Sequence, residues 1–188
     1  MKFGGIATST SKNREKIASI IEKINHKKIL LVVSAMGRVG FPYATDTLLD
    51  LIDSANITIK EENRLLSIGE IISSIVMSNL LNSKKIKAYA LSLKEIGLYK
   101  KDKFVFENSA ITELFNSYNV LIVPGFIALD NKENVITLKR GGGDLSACIL
   151  TNFLNCTTTY LFKDVSGVLP FVSQGYNNIK PIKYLSYL

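Results

Sequence analysis

The chain has one histidine and two cysteines in 188 residues. A lone histidine cannot assemble a histidine-based metal site or a histidine-containing catalytic triad, so neither chemistry is expected. His26 sits in the basic segment Lys23-Ile24-Asn25-His26-Lys27-Lys28, which reads as a solvated helix end. Cys148 and Cys156 have no metal-ligand spacing and no secretory context, and they read as reduced core thiols. No apolar run approaches the roughly 18 residues that a membrane helix needs, the longest, 29–33, being strand-sized. No membrane partner is therefore expected. The opening Met1-Lys2-Phe3-Gly4-Gly5 carries no apolar signal-peptide core, so a cytoplasmic location is the default expectation. Internal repeats, linkers and low-complexity tracts are also missing.

What remains is ordinary globular material, 47% hydrophobic and 21% charged. The length suits one domain with a sizeable core and is too short for two. Net charge is +7, from 23 Lys+Arg against 16 Asp+Glu. The positive residues cluster between Lys12 and Lys28, at Lys84, Lys85 and Lys87, and at Lys100, Lys101 and Lys103. No aromatic-interleaved basic motif or helix-turn-helix pattern accompanies them, which argues against nucleic acid. Solvated helix faces and an anionic small-molecule substrate explain the charge equally well.

Strand and helix alternate along the chain. A short strand at 2–5 runs into a glycine turn, and 11–24 is an amphipathic helix with Ile17, Ile20, Ile21 and Ile24 on one face. The apolar run 28–35 reads as a buried parallel strand. Helices are expected at 45–55, 61–82, 108–118 and 144–154, and strands at 86–91, 120–123 and 158–165. In the long helix Leu65, Ile68, Ile72 and Ile75 form the expected buried stripe, widened by Leu66, Val76 and Leu80. This alternation predicts an α/β fold, a three-layer α/β/α sandwich with a mostly parallel central sheet. Ligands in such sheets bind beyond the carboxyl ends of the strands. Gly4-Gly5, Ser34-Ala35-Met36-Gly37, Gly125 and Asp164 all fall there, so four loops converge on one crevice.

The most informative stretch is Arg140-Gly141-Gly142-Gly143-Asp144, entered from Val123-Pro124-Gly125-Phe126 and followed by Leu145-Ser146-Ala147. Three glycines leave backbone N–H groups uncovered just ahead of a helix, an arrangement that attracts anions. Arg140 adds a bidentate donor and Asp144 a carboxylate at the helix start.

Taken together, these loops resemble the aspartokinase branch of the amino-acid kinase family. The resemblance is carried by Lys2-Phe3-Gly4-Gly5, Val33-Ser34-Ala35-Met36-Gly37, Gly69-Glu70, Gly125-Phe126, Thr137-Leu138, Arg140-Gly141-Gly142 with Asp144, and Asp164-Val165-Ser166-Gly167-Val168. Met36-Gly37-Arg38-Val39-Gly40 through Pro42-Tyr43-Ala44-Thr45-Asp46 is similar to the diaminopimelate-sensitive isozymes. The resemblance implies transfer of the ATP γ-phosphate to the side-chain carboxylate of aspartate, with Mg2+ arriving on the nucleotide. Lys2 and Asp144 would be catalytic. Gly4, Gly5, Gly141, Gly142, Asp164, Gly167 and Lys180 would bind the nucleotide phosphates, and Glu70, Arg140 and Ser34 the amino acid. Residues 1–188 would be a single catalytic domain without the family's closing elements and regulatory domains, and a homodimer is compatible with it.

The match breaks at chemistry. Ile6 and Ala7 stand where the family has hydroxyl side chains, Gly143 where it has serine and Lys163 where it has threonine. Val172-Ser173-Gln174 replaces an Asp-Pro-Arg, and the segment 92–103 reads as a short, divergent substrate lid. Both pockets are touched. An active kinase, a kinase for a less polar acid and a nucleotide-binding pseudokinase therefore all stay open.

Overall fold

The computed structural model describes residues 1–24, 28–100, 103–105, 108–138, 142–165, 167–168 and 180–186, with backbone alone at 98–100, 103–105 and 108–110. Five strands form the main sheet: β1 (Lys2–Phe3), β2 (Ile29–Val33), β3 (Ala88–Ala90), β6 (Val120–Pro124) and β9 (Leu161–Phe162), in the order β3-β6-β2-β1-β9. Every pairing in it is parallel. The helices are α1 (Gly5–Thr8), α2 (Ser11–Lys23), α3 (Thr45–Leu49), α4 (Ile59–Ser83), α5 (Leu93–Ile96), α6 (Asn108–Ser117) and α7 (Gly142–Phe153).

Side chains alternate across a strand, and the sheet therefore divides the core in two. Leu31, Val33, Val120 and Ile122 pack with Ile17, Ile21, Met77 and Leu81 under α2 and α4. Val32, Leu121 and Val123 pack on the opposite face with Ile111, Ala147 and Leu150 from α6 and α7. This is the expected α/β/α sandwich. The helices start where the sequence provides caps. Thr10 accepts from Asn13 N–H at 3.2 Å, and Thr58 with Glu61 closes a full capping box on α4.

A second sheet was not expected. β4 (Leu98–Lys100), β5 (Lys103–Val105), β7 (Ile127–Leu129) and β8 (Val135–Thr137) order as β5-β4-β7-β8. The segment 92–103 is thus largely structured: Ser92 and Glu95 cap α5 reciprocally, and β4 pairs with β7 through Leu98 and Leu129. β8 is tied to α4 by Thr137 Oγ1 donating to Asn63 Oδ1 at 2.9 Å.

Other expectations change as well. The helix expected at 45–55 ends at Leu49, because Asp53 accepts from Ala55 N–H and Asn56 Nδ2 and forms a local turn instead. The strand expected at 158–165 is only Leu161–Phe162. Cys148 and Cys156 are exposed, not core: Cys148 is on the outer side of α7 and Cys156 lies past its end. The stripe assigned to α4 is also wrong, since Ile68 and Ile75 are 45% and 56% exposed. The buried side is Leu66, Gly69, Glu70, Ser73, Met77 and Leu81. Gly69 permits this close approach, because a Cβ there would lie 2.6 Å from the Tyr43 carbonyl oxygen. α4 is also long and apolar enough to cross a membrane by length and composition alone, a test that core helices pass as well. Counting uninterrupted apolar runs missed this because serines and Glu70 break the sequence up.

Candidate active site

The parallel register lines up the strand ends along one edge of the main sheet. Phe3 pairs with Val33, Val33 with Pro124, and Phe3 with Phe162. One residue further along, Gly4, Ser34, Gly125 and Lys163 stand side by side at the carboxyl ends of β1, β2, β6 and β9. All four expected loops therefore meet in one crevice.

Close backbone approach explains the glycines better than flexibility does. A Cβ on Gly5 would lie 2.5 Å from the Gly37 carbonyl oxygen, while Gly37 N–H donates to the Gly5 carbonyl at 2.8 Å. These contacts lock the first and second loops together. Buried Thr8 reinforces the joint by donating to Gly5 O at 3.1 Å and Ser34 O at 3.3 Å. Gly142 is held against Leu138 and Phe126. Ser146 Oγ accepts from Phe126 N–H at 3.2 Å and donates to Gly142 O at 2.7 Å, so α7 is pinned to the turn after β6.

Lys2 is 7% exposed, and its ammonium pairs with Asp144 Oδ1 at 2.8 Å. Asp144 lies in the first turn of α7, and its other oxygen accepts from Lys163 Nζ. Burial alone would raise the Asp144 pKa; the hydrogen bonds and charges of Lys163 and Lys2 outweigh it and hold the carboxyl below its ordinary value. Asp144 is therefore a charged hub that joins two lysines. Ser34 Oγ and Lys2 Cε both come within 3.3 Å of where a Gly143 side chain would begin, which puts Ser34 beside Lys2.

Glu70 is the opposite case. It is 2% exposed on the inner side of α4, and burial pushes its pKa up to about 8 despite a hydrogen bond from Ala35 N–H and the charge of Lys2. Among the described residues its Oε2 has no hydrogen-bond partner. A buried, half-satisfied carboxyl beside a loop crevice is poised for a cationic ligand group.

A cavity of about 380 Å3 opens beside Lys2, bounded by Gly4, Gly5, Ile6, Ala7, Lys16, Arg38, Lys163 and Asp164 among others. Asp164 is exposed on its rim. Gly167 packs on Pro181, and Ile182 N–H donates to Val168 O at 2.8 Å, placing exposed Lys180 next to the 164–168 turn. Arg140, Gly141, His26, Ser166, Val172, Ser173 and Gln174 lie outside the described residues. Lys16, Arg38 and the Lys163–Asp144 pair were not singled out from the sequence as site residues. Lys163 in particular reads there as a departure, because nothing local announces its ion pair with a residue 19 positions earlier. Among the described residues no three His, Cys, Asp or Glu side chains gather to hold a metal ion.

Comparison with known proteins identifies the family. The model of the amino acid kinase family matches residues 1–188. Aspartokinase 1 of Bacillus subtilis (strain 168) is 36% identical over 198 residues, covering 99% of this chain and 48% of that protein. An aspartokinase of Helicobacter pylori (strain ATCC 700392 / 26695) is 30% identical, covering 97% of this chain and 47% of that protein. The chain thus spans about half the length of the curated relatives it matches. The crystal structure of aspartate kinase from Synechocystis superposes with a TM-score of 0.77 at 29% identity, covering 92% of this chain and 29% of that one. The chain belongs to the amino acid kinase family and is aspartokinase-like within it.

Proposed function

We propose that this chain carries the catalytic crevice of an aspartate kinase, moving the γ-phosphoryl group of ATP onto the side-chain carboxylate of aspartate. The observation that carries the reading is the Lys2–Asp144 pair, set among four strand-end loops with Glu70 buried nearby. Phosphoryl transfer needs positioning and charge neutralisation, not a protein nucleophile. In the reaction a carboxylate oxygen of aspartate bonds to the γ-phosphorus as the bond to the β,γ-bridging oxygen breaks. ADP leaves, and no proton need move.

Lys2 would meet the negative charge that gathers on the transferring group, with Asp144 fixing its ammonium in place. Glu70 would take the substrate ammonium, and Arg140, by resemblance, its α-carboxylate. Ser34 borders the same space. Gly4, Gly5, Gly141 and Gly142 would face phosphate oxygens with backbone N–H groups, while Asp164, Gly167 and Lys180 would border the nucleotide. Magnesium would arrive on the phosphates as part of the substrate. A second reading, nucleotide binding without transfer, is favoured by apolar Ile6 and Ala7, which line the same cavity as Lys2.

A coupled ADP-release assay with hydroxylamine trapping of the acyl phosphate tests the proposal. Aspartate-dependent ADP release with a trapped hydroxamate is expected. Nucleotide binding without release would favour the second reading.

A further inference from the structure

Lys163 occupies a threonine position of the family pattern, and the sheet gives it a task that a threonine could not perform. β9 pairs with β1 in parallel with Phe162 opposite Phe3, so Lys163 follows directly beside Gly4. Phe3 and Phe162 stack at 4.2 Å, with Phe162 packed against the core under α2 and α4. Alternation along the strands therefore turns Lys2 and Lys163 to the other face, toward α7. There one carboxylate, Asp144, holds both ammonium groups. One negative charge against two positive charges leaves an excess of one. The two lysines differ in access, the Lys2 side chain being 9% exposed and that of Lys163 40%.

The cavity beside them repeats the imbalance. Its lining includes Lys2 from β1, Lys16 from α2, Arg38 from the loop after β2 and Lys163 from the end of β9, against Asp164 as the one acid among the described lining residues. Four cations supplied by four different segments surround more space than a single phosphate fills. An extended chain of phosphates can reach several of them at once.

We propose that Lys163 is a binding cation for the polyphosphate tail of the nucleotide, oriented by Asp144. Lys2 faces the moving group, and Lys163 takes charge further along the chain of phosphates. Identifying the anion as a nucleotide rests on the kinase reading above.

The test is calorimetric titration of the full chain with Mg-ATP, Mg-ADP and AMP. Replacing one charge-assisted contact costs about ten- to a hundredfold in affinity. Lys163→Met and Lys163→Gln should weaken Mg-ATP and Mg-ADP by about that factor and leave AMP nearly unchanged, while Lys163→Arg should restore most of the loss. A purely structural role would weaken all three ligands alike and would not separate the arginine variant from the neutral ones; that result overturns the inference. Unchanged Mg-ATP affinity in both neutral variants also overturns it, as does a parent chain that binds no Mg-ATP. If the parent chain shows the expected binding pattern but phosphorylates no aspartate, the aspartokinase proposal fails and the role of Lys163 stands.

Discussion

Two carboxyl groups in one crevice are treated in opposite ways. Asp144 is about one-third exposed, holds two ammonium groups and stays ionised below its ordinary range. Glu70 lies on the inner side of α4, has an oxygen without a partner among the described residues and is pushed up to about 8. Only the environment differs, since the two groups are chemically alike. Pairs of titratable groups driven apart in this way mark a division of labour. On the proposed reading the Asp144 side, with its two lysines, would meet phosphate charge, and the Glu70 side would meet the ammonium group of the amino acid.

The largest expected effect is on the charged side. Lys2→Ala should lower aspartate-dependent ADP release by about a hundred- to a thousandfold, the usual loss when one preorganised charge-stabilising group is removed. Unchanged turnover, with the melting temperature preserved, would break the comparison by reducing the Asp144 pairs to structural contacts.

An intermediate effect belongs to Glu70. Its folded pKa, about 8, exceeds the ordinary 4.5, so over that range the folded chain keeps a proton that the unfolded chain has lost. Stability should therefore fall as pH rises through the interval, by up to roughly 1.4 kcal/mol per pH unit. Glu70→Gln should flatten this slope and raise the alkaline melting temperature. Urea denaturation at a series of pH values measures both, and a variant with the parent's slope would remove Glu70 from its buried, neutral role.

The smallest effect on the pH dependence of stability is expected for Asp144→Asn. The depressed pKa of Asp144 contributes stability above its ordinary value, and that contribution is lost as pH falls through the folded value. Being partly exposed and screened, it should give only a shallow acid limb. The asparagine variant should lose that limb and keep the alkaline slope of Glu70. Loss of both would mean that the two carboxyl groups titrate as one system.

How far the sequence reveals this arrangement depends on the range of each signal. The parallel strands and long helices were legible because apolar periodicity is a local signal; 61–82 was read and Ile59–Ser83 is present. The loop crevice was legible because strand direction alone puts Gly4, Ser34 and Gly125 on one edge. The second sheet was not: its strands have three residues each, and β4 meets β7 at a single residue pair. The buried face of α4 was also misread, because serines whose hydroxyls bond within their own helix can be buried without penalty. Ser67 donates to Arg64 O at 2.7 Å and Ser74 to Ile71 O at 2.8 Å. Lys163 looked like a defect because its partner is distant in the chain.

The edge position of β9 has a consequence for how the crevice holds together. Two residues long and, among the described strands, paired on one side only, β9 is the piece of the main sheet that is cheapest to detach. Detachment would carry Lys163 away from Asp144 while Glu70, sealed under α4, stayed dry. Amide exchange at Lys2, whose N–H donates to Tyr160 O at 2.8 Å, would register each such opening. A polyanion bridging Lys2 and Lys163 would act as a clasp on that margin, slowing exchange there and leaving the middle strands, β2 and β6, at their own rate.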